Sequence, residues 1–248
     1  MIEGLIDMHC HIVPGVDDGA ADLMTAAKMM KMEYENGVAA IIVTPHYRRG
    51  MFETPQRKVE KQFRKIYNLT QKSRSGMKAY LGCEYHTNTD MVSDLLAGKR
   101  PTMAGSRYVL TEFSSAHSYL NIRNQVYELV AAGFKPIVAH VERYPCLVKN
   151  IELIEELIEL GGEIQLTSES VAGRSSRQVK RFCNELLKAG NVHYIASDAH
   201  DLESRKPNLQ ACAVYLEKKF GKDMMEQILI KNPKKIILSG EEKKDETN

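Results

Sequence analysis

The chain of 248 residues contains little cysteine and no Cys-x-x-Cys pair. Its five cysteines are an odd number, which argues against both a disulfide framework and a thiolate zinc site. None of them is followed by an arginine six positions later, so the phosphate loop of a cysteine-dependent phosphatase is missing. We therefore expect Cys10 and Cys83, which lie among candidate functional residues, to be small apolar neighbours rather than nucleophiles.

The chain also lacks an excess of charge of either sign and a long apolar segment. Lysine and arginine number 34 against 32 aspartate and glutamate residues, a net charge of +2. This balance gives no electrostatic reason to expect binding to nucleic acid or to an anionic membrane surface. No apolar run approaches the roughly 20 residues of a membrane span, and residues 1–4 do not begin a secretory signal. These features predict a cytoplasmic protein.

Short apolar segments alternate with helical stretches of about 15 residues, the pattern of repeated βα units. The predicted strands are residues 4–6, 39–43, 79–82, 108–110, 136–139, 163–166 and 193–196. The predicted helices are residues 23–35, 54–74, 121–132, 151–160, 175–189 and 209–220. Five of these helices are followed by a glycine, as expected of left-handed C-caps, namely Gly37, Gly76, Gly133, Gly161 and Gly190. The pattern predicts an α/β fold with one seven-stranded (β/α) barrel over residues 1–240 and a charged, flexible tail over residues 241–248.

The most informative motif is Asp7-Met8-His9-Cys10-His11, which follows the first apolar segment. Alternate side chains on an extended chain share a face, so Asp7, His9 and His11 are expected to point the same way. Two imidazoles and a carboxylate directed at one point suit a transition metal or Mn2+. For an isolated copy of such a motif, a chance match on the surface is the alternative.

Metal-competent residues also lie at the ends of six of the seven predicted strands. Beyond the first motif they are His46 after strand two, Glu84 after strand three, Glu112 after strand four, His140 after strand five, and Asp198 and His200 after strand seven. The carboxyl ends of all strands in a βα barrel meet on one face, where active sites lie. Taken singly, each residue could be a cap, a solvated strand end or a hydrogen-bonded core histidine. Their recurrence at the same register favours one shared site.

The number of candidate ligands indicates more than one ion. Five histidines and four carboxylates, with Asp18 as the ninth residue, are too many for an ion that takes about four to six ligands. We therefore expect two or three ions. Three divalent ions would carry +6 against −4 from the carboxylates, and the remaining +2 would attract an anion. Phosphate is the anion that we expect.

Several motifs resemble those of the PHP (polymerase and histidinol phosphatase) superfamily. They are Asp7-x-His9-x-His11, Thr44-Pro45-His46, Glu84, residues 140–144 and residues 197–200. More narrowly, residues 9–20 and 140–144 resemble the bacterial PHP-type, manganese-dependent protein-tyrosine phosphatases. The resemblance spans residues 4–238 and implies a distorted seven-stranded PHP barrel. It also implies hydrolysis of phosphotyrosine in proteins, with a cognate bacterial tyrosine kinase of capsule and exopolysaccharide regulation as the partner.

The resemblance further implies how the ligands divide among the ions. His9, His11, Glu84 and Asp198 would bind a first ion; Glu84 would bridge to a second ion completed by Glu112 and His140; Asp18, His46 and His200 would hold a third. Asp7 would orient a ligand histidine rather than bind metal itself. Many PHP proteins have histidine at the positions of Asp18 and Glu112. Carboxylates there fit Mn2+ as the cofactor, with Zn2+ or Fe as alternatives.

The expected chemistry is hydrolysis without a covalent intermediate. Metal binding lowers the pKa of water from about 15.7 toward about 7, so a hydroxide that bridges the ions would attack phosphorus. Arg143 and Arg205 follow His140 and His200 closely and would hold the phosphate by bidentate contacts. For either arginine alone, a solvated surface position is the alternative. A tyrosine leaving group has a pKa near 10 and needs little help from a general acid, so none is assigned.

Three other functions remain open at this point. A histidinol-phosphate phosphatase has the same fold and reaction type but an aliphatic leaving group. A polymerase-associated nuclease would need a basic track, which the near-neutral charge does not provide. A metal-stabilised scaffold without catalysis is disfavoured by the complete ligand set. Residues 113–118 depart from the tyrosine phosphatase pattern, which leaves the natural substrate open, and the sequence does not predict an oligomeric state.

Overall fold

The strands form one curled, parallel sheet system that is broken into short segments. The computed structural model describes residues 1–73, 75–148 and 150–245. In these residues the strands are β1 (Leu5–Cys10), β2 (Val38–Val43), β3 (His46–Tyr47), β4 (Lys78–Leu81), β5 (Glu84–His86), β6 (Tyr108–Glu112), β7 (Lys135–Val138), β8 (Glu163–Thr167) and β9 (Tyr194–Ala196). They pair in the orders β1-β2-β4 and β3-β5-β6-β7-β8-β9, and every pair is parallel.

Helices alternate with the strands along the chain, as the sequence pattern predicts, and the last three described helices follow β9. They are α1 (Leu23–Glu35), α2 (Gln56–Lys72), α3 (Met91–Leu96), α4 (Tyr119–Ala131), α5 (Ile151–Glu159), α6 (Ser168–Ala172), α7 (Arg177–Ala189), α8 (Leu209–Phe220), α9 (Lys222–Glu226) and α10 (Asn232–Asp245). The five glycines predicted to follow helices have φ angles between 68° and 96°. The predicted α/β class and single domain are thus confirmed. Arg74, the last residue of the second predicted helix, lies outside the described residues.

The strand count differs from the predicted seven because the second and third strands of the barrel are each divided in two. Thr44 and Pro45 separate β2 from β3, and Gly82 and Cys83 separate β4 from β5. Proline has no N–H to donate to a ladder, which favours an interruption at this point. The upper segments β3 and β5 pair with His46 opposite Glu84. The interruption therefore places two predicted ligands side by side at the carboxyl end of the sheet.

The seam between the first and last strands closes near this same end. An isolated parallel bridge joins Cys10 to Ala199. The Asp198 N–H donates to the His9 carbonyl at 2.8 Å, and the His11 N–H donates to the Ala199 carbonyl at 2.8 Å. These bonds fix the ligands of the first strand against those of the last.

Apolar side chains fill the barrel below its carboxyl end. Met8, Ile42, Leu110 and Ile137 belong to one buried cluster, which also includes Ile236 of α10. A larger cluster packs the outer faces of the strands against the helices. Because the interior is apolar at depth, polar side chains gather where the strands end. This arrangement confines the chemistry of the barrel to one face.

The carboxyl-terminal helix extends beyond the predicted domain boundary at residue 240. Helix α10 runs through Asp245, and the Tyr80 hydroxyl donates to the Glu241 carboxylate at 3.0 Å. A Cβ on Gly240 would lie 2.2 Å from the Ala104 carbonyl oxygen, so a glycine is needed for this close packing. The predicted flexible tail is therefore helical as far as Asp245, and residues 246–248 lie outside the described residues. Among the described helices, none has the length and apolar character needed to cross a membrane.

Candidate metal centre

The nine residues predicted as metal ligands lie together at the carboxyl end of the barrel. Three overlapping groups have their ligand atoms within 4.8 Å of one another: His9, His11, Glu84 and Asp198; His46, Glu84 and Glu112; His11, Asp18, His46 and His200. His140 completes the set, since its Nε2 atom lies 2.8 Å from Glu84 Oε1. Barrel topology thus unites residues that are as many as 191 positions apart in the chain, from His9 to His200.

The first group has the spacing of ligands around a small cation. His9 Nε2 lies 3.1 Å from Glu84 Oε2 and 3.2 Å from Asp198 Oδ1. His11 Nε2 lies 3.2 Å from the same Glu84 oxygen. Two donors bound at about 2.1 Å from one ion and at right angles lie about 3 Å apart, so these distances fit joint coordination. All four side chains are buried.

Glu84 stands between the groups. Its Oε2 atom faces His9, His11 and His46, the last at 3.0 Å from Nδ1, while Oε1 faces His140. This is the position that a bridging carboxylate requires. Glu112 lies farther out, with its carboxylate oxygens 3.7 Å from His46 Nδ1 and 4.0 Å from His140 Nε2.

His46 faces two groups at once, which the resemblance did not imply. Its Nδ1 atom faces Glu84 and Glu112, whereas its Nε2 atom lies 3.6 Å from Asp18 Oδ1. His200 Nε2 lies 3.5 Å from the same Asp18 oxygen. Asp18, His46 and His200 are therefore together as predicted, with His46 also next to the second group.

Several ligand atoms of the centre are buried without a hydrogen-bond partner among the described residues. They are His46 Nδ1, Glu84 Oε2, Glu112 Oε2, Asp198 Oδ1 and His200 Nε2. A buried polar atom left unpaired costs about 1 to 3 kcal/mol, so such a cluster calls for a binding partner. Imidazole nitrogens and carboxylate oxygens together suit first-row divalent cations. The residues present therefore fit a metal centre.

The histidines are oriented by partners on their other ring nitrogens. His11 Nδ1 lies 2.9 Å from Asp17 Oδ2, and His9 Nδ1 lies 3.3 Å from Gln165 Oε1. If each Nδ1 carries the proton, each Nε2 directs a lone pair into the first group. Asp17 also accepts hydrogen bonds from the main-chain N–H groups of His46 and Gly19. Sequence reasoning missed Asp17 and Gln165, although Asp17 adjoins the predicted ligand Asp18.

Asp7 does not join the three ligand groups. Its Oδ1 atom accepts main-chain hydrogen bonds from His9 at 3.3 Å and from Ser197 at 3.1 Å. Its carboxylate lies with Cys10 and Glu33. The expected common face holds for His9 and His11 but not for Asp7, because the register of β1 against β2 shifts between Asp7 and Cys10. Asp7 thus positions main chain at the seam, and no imidazole ring of the described residues is its hydrogen-bond partner.

The pKa values of the two glutamates in the centre shift in opposite directions. Burial disfavours ionisation of Glu84, but the neighbouring imidazoles of His9 and His46 outweigh it and hold the pKa of Glu84 well below its usual range. Burial and the nearby Glu84 charge raise the pKa of Glu112 to about 8. Burial lowers the pKa of His46 to about 4, so its ring is neutral at pH 7. A cation between the two glutamates would remove the repulsion that raises the pKa of Glu112.

Both predicted arginines reach the centre. Arg143 Nη2 and Arg205 Nη2 each lie 2.7 Å from Asp198 Oδ2, while Asp198 Oδ1 faces the first group. Their side chains are 44% and 39% exposed, so they border solvent rather than fill the core. Two ligands that come shortly before these arginines in the chain have left-handed φ angles: His140, before Arg143, has a φ of 34°, and Asp198, before Arg205, has a φ of 52°. Such angles are costly for non-glycine residues and are typical of functional sites.

The arginines, the ligands and a hairpin enclose a pocket of about 200 Å³. Arg48, Met51 and Phe52 of the hairpin after β3 line it together with Arg143 and Arg205. Sequence reasoning missed Arg48, although it lies two positions after His46, the spacing at which side chains share a face of an extended chain.

The cysteines behave as predicted. Burial raises the pKa of Cys10 and of Cys83, the latter to about 12, so neither is a thiolate near pH 7.

Comparison with known proteins agrees with this geometry. The model of the family described as capsular polysaccharide synthesis, CpsB/CapC, matches residues 5–238. The tyrosine-protein phosphatase CpsB of Streptococcus pneumoniae is 33% identical over 94% of this chain and 98% of its own length. The tyrosine-protein phosphatase YwqE of Bacillus subtilis is 31% identical over 89% of this chain and 87% of its own length.

Solved structures give the same result. A structure from a study of YwqE from Bacillus subtilis and CpsB from Streptococcus pneumoniae, described as unique metal-dependent tyrosine phosphatases, matches with a TM-score of 0.88. It is 30% identical, and the match covers 95% of each chain. The phosphotriesterase homology protein of Escherichia coli, at 15% identity and a TM-score of 0.59, covers 94% of this chain and 98% of its own and shares the fold. The chain belongs to the CpsB/CapC family, as its resemblance to the PHP-type tyrosine phosphatases predicted.

Proposed function

We propose that this protein is a metal-dependent phosphatase that hydrolyses phosphotyrosine in proteins. The observation that carries the proposal is the convergence of nine metal-competent side chains at one end of the barrel, where six of them and the two predicted arginines line a pocket of about 200 Å³. The relatives named tyrosine-protein phosphatase support the same reaction. Their names do not favour the alternatives of a histidinol-phosphate phosphatase or a scaffold without catalysis.

The division of labour in the proposed reaction follows from the contacts. When bound, the ions would lower the pKa of a coordinated water toward neutrality and so supply the nucleophile, without a covalent enzyme intermediate. Arg143 and Arg205 would bind the phosphoryl oxygens, since both guanidinium groups border the pocket and are held by Asp198 Oδ2. Glu84 would contribute to binding two ions, because its two oxygens face different ligand groups. Asp7 would act indirectly by fixing the main chain of His9 and Ser197.

Mn2+ is the proposed cofactor, as two or three ions per chain. Four carboxylates, Asp18, Glu84, Glu112 and Asp198, stand among the nine candidate ligands. A carboxylate-rich set favours harder ions such as Mn2+ over a zinc-like site of thiolates or imidazoles. Zn2+ and Fe remain the alternatives.

The proposed partner is a tyrosine-phosphorylated protein, with a cognate bacterial tyrosine kinase of capsule or exopolysaccharide regulation as the first candidate. The family description as capsular polysaccharide synthesis proteins supports this context. We place the activity in the cytoplasm, where five unpaired cysteines would stay reduced.

The test is a phosphotyrosine-peptide assay on chelated protein reconstituted with Mn2+, Zn2+ or Mg2+. We expect chelation to abolish hydrolysis and Mn2+ to restore it best. Iodoacetamide should leave most activity because Cys10 and Cys83 are buried and protonated. Histidinol phosphate, assayed in parallel, should be turned over more slowly because its aliphatic leaving group is poorer.

Two results would contradict the proposal. Activity that survives chelation and is lost on alkylation would indicate a thiolate nucleophile instead of metal chemistry. Faster turnover of histidinol phosphate than of phosphotyrosine peptides would assign the protein to the other phosphatase class.

A further inference from the structure

A second pocket of about 220 Å³ opens beside the metal pocket. The two pockets share Arg48, Glu112, His140 and Arg143, so they adjoin each other. The second pocket adds Tyr144 and residues 113–115, which follow β6. A substrate whose phosphate occupies the metal pocket would therefore place its neighbouring groups at this second pocket.

The wall of the second pocket is held by hydrogen bonds. The buried Tyr144 hydroxyl accepts from the Phe113 N–H at 3.1 Å. The Ser114 carbonyl accepts from the His117 N–H at 3.0 Å, and the Ser114 hydroxyl accepts from the Ala116 N–H at 3.2 Å. The segment after β6 is thus a defined turn at the pocket edge.

The second pocket is rich in positive charge. Arg48 and Arg143 both line it, and Glu112 is its one acidic lining residue among those described. Glu112 is also a proposed metal ligand, so a bound cation would compensate its charge. Among the described residues, no carboxylate oxygen lies within 4.0 Å of a guanidinium nitrogen of Arg48, so Arg48 forms no ion pair with them. Arg48 is therefore a half-buried cation whose charge is available to a ligand.

The chemistry of the lining favours an anion over an aromatic ring. Phe113 and Tyr144 are only 3% and 2% exposed, so their rings offer almost no surface for stacking. The guanidinium groups and the exposed Ser115 remain accessible. A carboxylate would match a guanidinium and a hydroxyl as hydrogen-bond donors.

We infer that the second pocket is a specificity subsite that binds the carboxylate of an Asp or Glu next to the phosphotyrosine of the substrate, with Arg48 as the recognising cation. The inference rests on the proposed phosphatase function. It predicts a preference among phosphoproteins for tyrosines in acidic sequence contexts. Arg48 acts in this role on the flanking residue and not on the phosphoryl group.

The test compares phosphotyrosine peptides that differ only in having Glu or Gln beside the phosphotyrosine, on either side. For the Mn2+-loaded wild type we expect kcat/KM to favour one Glu peptide about fivefold, the size typical of a partly exposed ion pair. In Arg48→Gln that ratio should fall to near one. Arg49→Gln is the matched control, because Arg49 lies next to Arg48 but is exposed and pairs with Asp90. It should keep the wild-type ratio.

Each other outcome has a defined meaning. Equal turnover of the Glu and Gln peptides by the wild type would overturn the subsite and leave the phosphatase function intact. An unchanged preference in Arg48→Gln would overturn the assignment of Arg48. An equal loss of kcat on both peptides in that variant would place Arg48 at the phosphate and also overturn the subsite. If the wild type hydrolyses no phosphotyrosine peptide with any metal, the proposed function itself fails.

Discussion

At the scale of single residues, Asp198 links the metal ligands to the arginines. One of its oxygens faces His9 and His11, and the other accepts both Arg143 and Arg205. The imidazoles and guanidinium groups outweigh the cost of burial and hold the pKa of Asp198 well below its usual range. Because one carboxylate orients both arginines, their positions depend on the same strand end that supplies the ligand.

Replacing either arginine with lysine tests whether the guanidinium fork matters. Arg143→Lys and Arg205→Lys should keep bound metal but lose bidentate contact, since lysine retains charge without the planar fork. Losing one such contact costs about 2.7 to 4 kcal/mol in comparable oxyanion sites, so kcat should fall roughly a hundredfold or more. Steady-state kinetics on a phosphotyrosine peptide, with elemental analysis of metal content, measure both effects.

The control for these variants is Arg123→Lys, because Arg123 pairs with Glu156 on the outer helices and should leave kinetics unchanged. If Arg143→Lys or Arg205→Lys shows wild-type kcat and KM, that arginine is a surface residue.

The sequence predicts which residues lie at the centre where a side chain ends a strand, but not where the residue reaches the centre through a partner elsewhere in the chain. His140 and Glu112 were identifiable because each follows an apolar strand. Gln165 was not, because it lies within β8, in the one predicted strand without a ligand at its end, and a glutamine there carries no signal of its own. Its importance comes from contacts with His9 and the His140 N–H.

At the scale of elements, the loop between β1 and α1 brings Asp17 and Asp18 to the centre. Ala20 donates to the His11 carbonyl at 2.9 Å, so the loop folds back onto the strand that carries His11. Gly19 sits at the closest approach. A Cβ built there would lie 2.1 Å from the His11 carbonyl oxygen and 2.5 Å from the His11 Cβ.

Gly19→Ala should therefore move the loop away from His11. We expect lower metal content and turnover, because Asp18 and the Asp17 contact to His11 shift together. The far-ultraviolet circular dichroism should stay unchanged, since the loop lies outside the helices and strands. Gly98→Ala, whose added Cβ meets open space but whose φ of 65° disfavours alanine, controls for backbone strain away from the centre. Wild-type metal content and kinetics in Gly19→Ala would show that the loop tolerates the displacement.

Element prediction missed the upper halves of two strands. The segments β3 and β5 contain two and three residues, too short for an alternating pattern to reveal. Their ends were nevertheless recognisable through His46 and Glu84, the residues that the interruption turns toward the site. At this end of the sheet, polar residues at the strand ends thus predicted the positions of the strands better than apolar periodicity did.

At the scale of the whole molecule, the alternation of strand and helix was readable because each unit repeats the same local pattern. The closure of the sheet was not, because it depends on contacts between the two ends of the chain. The Asp7 carboxylate accepts from the Ser197 N–H across the seam between β1 and β9, and it also lies near Glu33 of α1. No local sequence signal pairs residues 7, 33 and 197.

Behind this seam two carboxyl groups share a buried position. Glu33 is fully buried, and within the described part of the chain neither of its oxygens has a hydrogen-bond partner. Burial, together with the adjacent Asp7, raises the pKa of Glu33 well above its ordinary value of 4.5. Burial also raises the pKa of Asp7. A proton on Glu33 would allow it to donate to Asp7, which spares the molecule two buried, repelling charges.

A proton that Glu33 retains in the folded protein would make the stability of the protein dependent on pH. The unfolded chain releases this proton near pH 4.5 while the folded chain retains it, so this contribution to stability is complete below pH 4.5 and is lost as pH rises. Glu33→Gln keeps an N–H donor for Asp7 but cannot ionise. The free energy of unfolding of Glu33→Gln, measured relative to that of the wild type, should therefore increase between pH 5 and pH 9. The increase should be up to about 1.4 kcal/mol per pH unit. Urea unfolding of both chelated proteins at pH 5, 7 and 9 measures the difference, and a difference that stays constant with pH would show that Glu33 carries no proton in the folded protein.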